Sequence, residues 1–240
     1  MNFEALIRLP LRLIPRTTTM RVLSGELRGS RWIAGAATHG CWIGTYEPLT
    51  RRLFREHVKP GDVVFDVGAN AGFYTLLASK MVGPTGRVIA FEPLPRNLSY
   101  LREHIRINGC ENASVMPLAV TATAGSAHFV DESRPSMGSV SDEGTLEVAT
   151  ASLDSLVASG VVPRPNFIKM DIEGGEDEAL AGAREVLGTA GLTLVLSTHG
   201  YLHHESCWSL LEKAGFTLRL VRDGAADGDY LILGEQPGPR

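Results

Sequence analysis

From residue 59 onward, short apolar runs alternate with segments whose apolar positions recur every three or four residues. Val63, Val64, Phe65 and Val67 form a run too short for a helix, which predicts a strand over 63–67. The turn Lys59-Pro60-Gly61-Asp62 precedes it. Phe73, Leu76, Leu77 and Met81 follow at helical spacing, until Gly83-Pro84-Thr85-Gly86 stops them. The pair then repeats, with a strand over 87–92 and a helix marked by Leu94, Leu98, Leu101 and Ile105 that ends at Asn108-Gly109. A third strand is expected over 114–120, further strands over 166–172 and 192–198, and helices over 176–187 and 205–214. Such alternation predicts an α/β fold, a mostly parallel central sheet with helices on both faces. Residues 216–221 and 230–233, joined by the turn-rich stretch 223–229, read as a C-terminal antiparallel hairpin.

The middle of the chain interrupts this rhythm. Short strands at 127–131 and 146–150 flank the polar loop Glu132-Ser133-Arg134-Pro135-Ser136-Met137-Gly138-Ser139, and 153–157 reads as a short helix. Long irregular segments in compact domains tend to be lids, so this loop is expected to cover an acceptor site. No linker marks an internal boundary. Residues 46–240 are read as one domain and 1–45 as an accessory segment with a short helix and a hairpin through 22–29. Near the start, Leu6, Ile7, Leu9, Leu11, Leu13 and Ile14 alternate with Arg8, Arg12 and Arg16, as in interfacial helices and targeting peptides. Glu4, Pro10 and Pro15 favour a short arm packed on the main domain instead.

Charge and cysteine usage narrow the function classes. A net charge of −4 over 240 residues leaves no basic surplus for a phosphate backbone, so nucleic acid is not an expected partner. No apolar run approaches the roughly 20 residues of a membrane span, so stable membrane insertion is not expected. Cys41, Cys110 and Cys207 are scattered without C-x-x-C spacing, which suits a reducing, cytoplasmic setting.

Candidate chemistry gathers at strand ends, where open α/β sheets bind ligands. The first strand runs into Asp66-Val67-Gly68-Ala69-Asn70-Ala71-Gly72, a turn whose glycines let backbone approach a ligand closely. It differs from the dinucleotide fingerprint. Asn70 stands where a middle glycine would be, and Asp66 at the strand end would repel a pyrophosphate but hold an ammonium group. That favours S-adenosylmethionine over NAD, with Asp66, Gly68, Ala69, Asn70 and Gly72 at the cofactor.

In Phe91-Glu92-Pro93 an acid follows the first glycine by roughly 20 residues, the position beside a ribose. Glu92 can accept hydrogen bonds from both ribose hydroxyls, with Pro93 adjacent and Leu118 and Ala119 near the adenine. A helix N-terminal acid is the alternative for Glu92. In the stretch 167–176, Lys169, Asp171 and Glu173 alternate with Ile168, Met170 and Ile172 at strand period. Three charges on one face are costly to bury unpaired, which puts Asp171 and Glu173 at an active-site rim as base, metal ligand or hydroxyl acceptor. The alternative is a solvated strand end with Glu173 and Glu176 capping a helix.

Together Asp66-Val67-Gly68-Ala69-Asn70-Ala71-Gly72, Phe91-Glu92-Pro93 and Ile168-Lys169-Met170-Asp171-Ile172-Glu173-Gly174, with Glu176 after them, resemble the FkbM family of S-adenosylmethionine-dependent methyltransferases. Gly44-Thr45-Tyr46-Glu47 and Ala151-Ser152-Leu153-Asp154-Ser155-Leu156 are similar to further landmarks of the family. The resemblance implies a Rossmann-like class I fold and O-methylation of a hydroxyl on a small natural product, sugar or glycan. One position departs from the family, where an acid is common near the end of the fifth strand. Here the residues are Leu196-Ser197-Thr198-His199, which makes His199 a catalytic candidate beside Asp171 and Glu173. Asp171 is expected at the cofactor as well. With two carboxylates and one histidine in view, base catalysis without a metal is the expectation. The rival readings are a nicotinamide-dependent oxidoreductase on a similar sheet and a non-catalytic nucleotide-binding or scaffold protein.

Overall fold

The computed structural model describes residues 13–129 and 146–238. The polar loop 132–139 and most of the basic-apolar N-terminal segment lie outside the described residues. The described chain opens with β1 (Thr19–Arg21) and β2 (Arg31–Ile33), paired antiparallel. A hairpin is therefore present, but residues 22–29 belong to its connection and the strands flank them.

The central elements are β3 (Val63–Val67), β4 (Arg87–Phe91) and β5 (Ala113–Met116), followed by β6 (Ala119–Val120), β7 (Gly125–Phe129) and β8 (Leu146–Ala151). After them come β9 (Phe167–Met170), β10 (Thr193–His199), β11 (Thr217–Arg222) and β12 (Asp229–Glu235). Seven of these form the main sheet in the order β11-β12-β10-β9-β3-β4-β5. β10, β9, β3, β4 and β5 run parallel, while β12 is antiparallel to both β10 and β11. The expected terminal hairpin closes one edge.

Helices cover both faces, so the central strands read as continuous apolar runs instead of alternating ones. The side-chain period of two still sorts them. Phe65, Val67, Ile168, Met170, Leu194 and Leu196 build one core, and Val64, Phe167, Val195 and Leu231 build the other with Phe54, Tyr74 and Leu77. The helix Phe73–Val82 is buried on nearly every side because the N-terminal piece packs over it.

Several element boundaries differ from the sequence expectation. The strand expected over 114–120 divides at Pro117, which has no N–H to give a ladder. β5 stays in the main sheet, and β6 joins β7 and β8 in a separate three-stranded sheet. The strand expected through 172 stops at Met170. The helix expected over 176–187 becomes Glu176–Ala181 and Arg184–Leu187. Gly182 lies at that break, and any side chain there would overlap the Thr121 carbonyl oxygen. The last helix starts earlier than expected, as Tyr201–Lys213. None of the helices among the described residues is long and apolar enough to cross a membrane.

The N-terminal piece docks on the helix Pro95–Asn108. Trp32 is fully buried and stacks on His104 with ring centroids 4.0 Å apart. His104 Nε2 accepts from the Ile33 N–H at 2.9 Å, and its Nδ1 meets the Ala71 carbonyl at 2.7 Å, which requires the proton on Nδ1. Burial pushes the His104 pKa down to about 4, so the ring stays neutral.

Candidate active site

Strand order reverses between β3 and β9, because β4 and β5 lie on one side of β3 and β9 and β10 on the other. Such a switch point opens a crevice at the carboxyl ends of the strands. A cavity of about 490 Å³ opens there, within the range usual for small-molecule sites. Its wall combines the turn after β3, residues Glu92–Leu94, residues Leu118–Thr121, the loop after β9, and residues of the N-terminal piece.

The turn after β3 is held by backbone bonds. The N–H groups of Gly68 and Ala69 both donate to the Phe91 carbonyl, at 3.0 and 2.9 Å, locking the β3 and β4 ends together. Asn70 has φ 50°, which asparagine tolerates, and its Oδ1 accepts from the Ala71 N–H at 2.7 Å. Gly68 has φ 76°, and an added Cβ would overlap the carbonyl oxygen of Asp171. Gly68, Ala69 and Asn70 line the cavity, as do Pro93, Leu118 and Ala119. Gly72 is off the wall, packed against Leu101.

Glu92 is 4% exposed and faces the cavity. One carboxylate oxygen accepts from the Asn70 N–H at 2.8 Å, the other from the Leu94 N–H at 2.9 Å. Burial raises its pKa, and these backbone donors work in the opposite direction. Asn97 Nδ2 also donates to the oxygen that Leu94 holds, at 3.4 Å, so the carboxylate is fixed in place and the oxygen bonded to Asn70 keeps a lone pair for a ribose hydroxyl.

Asp66 corrects an expectation. It is fully buried and absent from the cavity wall, so it cannot meet a ligand ammonium directly. Its Oδ2 accepts from the Thr75 hydroxyl at 2.6 Å, while Oδ1 has no hydrogen-bond partner and sits 3.7 Å from Lys169 Nζ. Lys169 Nζ is equally 3.7 Å from Asp171 Oδ2 and donates to the Gly68 carbonyl at 3.0 Å. Burial opposes the lysine charge, but Asp171 and Asp66 outweigh it and raise the pKa. The charge of Asp66 thus serves an internal ion pair beneath the turn.

The loop after β9 gathers a second constellation. His199, at the end of β10, places Nε2 3.6 Å from Asp171 Oδ1 and 3.5 Å from Glu173 Oε2. One ligating atom from each of the three lies within 4.8 Å of the others. The other ring nitrogen, Nδ1, lies 3.2 Å from Oε1 of Glu176, which is fully buried. Glu176 also accepts from the N–H groups of Gly174 and Gly175, at 3.2 and 3.1 Å, which shapes the loop. Glu173 adopts φ 60°, a strained conformation for a residue with a side chain.

Burial disfavours a charged His199, but the bond to Glu176 and the charges of Asp171 and Glu173 prevail and lift its pKa to about 9. Burial and neighbouring acids raise Glu173, with His199 opposing. Burial also works against an ionised Glu176, yet the His199 and backbone hydrogen bonds hold its carboxyl below the usual range. Asp171 and Glu173 line the cavity, and His199 stands behind them.

Pattern reading missed part of the wall. Trp32, Thr38 and Cys41 come from the N-terminal piece, Tyr74 from a helix read only as core, and Asn97 from the first turn of the next helix. Tyr46, quoted only as a landmark, also lines the cavity, and its neighbour Glu47 accepts from the Tyr74 hydroxyl at 2.7 Å. Glu47 has φ 39°, so the Gly44-Thr45-Tyr46-Glu47 stretch carries a backbone signal that periodicity does not reveal.

Residues 66–218 match the family profile described as the methyltransferase FkbM domain. The chain is 31% identical over 185 residues to the hexuronic acid methyltransferase AglP of Haloferax volcanii, covering 75% of this chain and 74% of that protein. It is 25% identical over 175 residues to the 31-O-demethyl-FK506 methyltransferase FkbM of Streptomyces tacrolimicus, covering 58% of this chain and 67% of that one. Among solved structures, the methyltransferase FkbM of Methylobacillus flagellatus superposes with a TM-score of 0.52 at 19% identity, over 77% of this chain and 50% of that chain. A SAM-dependent O-methyltransferase of Thermotoga maritima gives a TM-score of 0.54 at 14% identity, over 80% of this chain and 66% of that one. At these identities the two superpositions establish the Rossmann-like class I fold.

Proposed function

This chain belongs to the FkbM family of S-adenosylmethionine-dependent methyltransferases, and on that premise we propose that it methylates a hydroxyl group of a sugar or glycan acceptor. Family membership sets aside the nicotinamide oxidoreductase and scaffold readings. The observation that carries the proposal is the meeting of Asp171 and Glu173 on the wall of the same cavity that Glu92 lines.

The residues present fit the cofactor. Glu92 offers a fixed carboxylate to a ribose, the backbone of Gly68, Ala69 and Asn70 lines the cavity beside it, and Leu118, Ala119 and Phe129 provide apolar wall for an adenine. S-adenosylmethionine, when bound, supplies a methyl group made electrophilic by its sulfonium. The protein's part is to align an acceptor oxygen, which can be worth effective molarities of about 10⁵–10⁸ M, and to take its proton, worth about 10²–10⁴-fold. Asp171 or Glu173 takes that proton as the oxygen lone pair forms the O–CH₃ bond and the S–CH₃ pair remains on sulfur. A carboxylate acceptor would need no base and would meet like charge at Asp171 and Glu173. A neutral hydroxyl suits the site better, and small molecules of that kind, not nucleic acid, are its partners.

The test is turnover of the purified protein with S-adenosylmethionine and a panel of neutral sugars, hexuronic acids and their glycosides. A methylated product that survives alkali identifies an ether and supports the reading. An alkali-labile ester, or cofactor binding without transfer to any sugar, counts against it.

A further inference from the structure

We propose that Asp171, Glu173 and His199 bind a divalent transition-metal ion, and that this ion receives the acceptor hydroxyl. The inference rests on the function proposed above and changes how the hydroxyl is activated. Base catalysis without a metal was the expectation while the histidine's position was open. The fold now places that histidine among the carboxylates.

The arrangement has the parts a metal centre needs. Two carboxylate oxygens and one imidazole nitrogen converge, with their ligating atoms within 4.8 Å of each other. Ligand atoms about 2.1 Å from a shared ion stand about 3.0–3.4 Å apart in octahedral or tetrahedral geometry. The observed Nε2 separations of 3.6 Å to Asp171 and 3.5 Å to Glu173 need a few tenths of an ångström of contraction, and an ion would also draw together the two carboxylates, whose oxygens lie within 4.8 Å. They are also too long for ordinary N–H···O hydrogen bonds, so Nε2 points at both carboxylates without closing on either.

The far side of the imidazole is already occupied. Nδ1 meets Glu176 Oε1 at 3.2 Å, and Glu176 is fully buried and held by the Gly174 and Gly175 N–H groups. A buried carboxylate on Nδ1 orients the ring with Nε2 toward Asp171 and Glu173, where an ion would take the place of the Nε2 proton, the pairing found behind metal-bound histidines. This fourth residue separates the cluster from an ordinary group of surface acids.

Oxygen ligands suit magnesium, calcium and manganese, and an imidazole shifts preference toward the manganese-to-zinc range. Three protein ligands leave positions open for an acceptor oxygen. The ion would draw charge from the hydroxyl, whose proton leaves to water at the cavity mouth. The oxygen then forms the O–CH₃ bond, and the S–CH₃ electron pair stays on sulfur.

The experiment is a titration of chelator-stripped protein with Mn(II) alone, followed by electron paramagnetic resonance, with and without S-adenosylmethionine. One ion per chain is expected, with a Kd below about 100 μM. Binding should weaken at least about 10-fold in His199→Ala and Asp171→Asn, and about 10- to 100-fold in Glu176→Gln, which removes no ligand. Circular dichroism confirms that each variant is folded. Wild type that binds no Mn(II) up to about 1 mM overturns the site, as does His199→Ala binding as tightly as wild type. Turnover unaffected by chelation overturns the role assigned to the ion. Calorimetry with S-adenosylmethionine on the same samples keeps the two readings apart. Cofactor bound without Mn(II) removes the metal site alone, whereas Mn(II) bound without cofactor supports the site and removes the function it was attached to.

Discussion

The ends of β3 and β4 and the ends of β9 and β10 face the same crevice but are built by opposite means. At the first pair, backbone N–H groups satisfy nearly everything: Gly68 and Ala69 bond to Phe91, and Asn70 and Leu94 bond to Glu92. Asn97 adds a side-chain donor, and one Glu92 oxygen is left with a lone pair at the cavity. At the second pair, side chains carry the load, and Asp171, Glu173 and Glu176 surround a single imidazole. The first end is a finished receptor for a ligand of fixed shape. The second holds an excess of negative charge that a proton or a cation must balance, as suits the place where charge changes during reaction. Lys169 joins them, bonded to the Gly68 carbonyl and paired with Asp171.

The severest way to break this division is Gly68→Val. Its Cβ would collide with the Asp171 carbonyl, so both ends should be pushed apart and cofactor binding lost, by more than about 100-fold on calorimetry. Retained binding in a folded variant would mean that the turn is not the cofactor loop. Glu173→Gln, at a residue with no link to the turn after β3, separates the ends more cleanly. Turnover should fall at least about 10²-fold while cofactor affinity changes little, and a matching collapse of affinity would show the two ends to be one site energetically.

A smaller effect is expected at the first end from Glu92→Ala, which should weaken cofactor binding by about 1.5–3 kcal/mol, the scale of hydrogen bonds to a charged group. Unchanged affinity in titration calorimetry would take Glu92 out of the site. The smallest effect is one of pH. The native pKa of His104, about 4, lies below the ordinary histidine value near 6.5. The unfolded chain therefore takes up a proton first, so this contribution is complete above about pH 6.5 and is lost as pH falls toward 4. Because the raised His199 acts in the opposite direction over the same range, the readout is the difference: in urea unfolding, wild type should lose about 2 kcal/mol more than His104→Asn between pH 7.5 and 5. An equal loss in that variant would assign the acid sensitivity elsewhere.

Much of this division was legible along the chain. The turn after β3, the acid after β4 and the charged stretch after β9 all stand out because local backbone needs and strand period leave marks at neighbouring positions. Gly68 and Asn70 declare positive φ, and Glu92 declares itself by its distance from the glycines. Asp66 misled for the same reason. Its position marks a strand end, but which way its carboxylate turns depends on Thr75 and on Lys169, a hundred residues away. Trp32, Thr38 and Cys41 were invisible as site residues because the N-terminal piece has no period that points at a cavity.

By itself, then, the sequence determined the α/β rhythm, the parallel sheet with its antiparallel finish, and the three strand ends that carry chemistry. Each is written in short-range patterns of apolar period, turn residues and strand-end acids, which the backbone obeys wherever the chain goes. Tertiary structure alone decided which of those ends meet, that the Asp66 charge is spent on Lys169, and that His199 stands between Asp171, Glu173 and Glu176. Those outcomes follow from strand order and from pairwise charges brought together across long stretches of chain, where electrostatic attraction acts on distance in space and takes no account of distance in sequence.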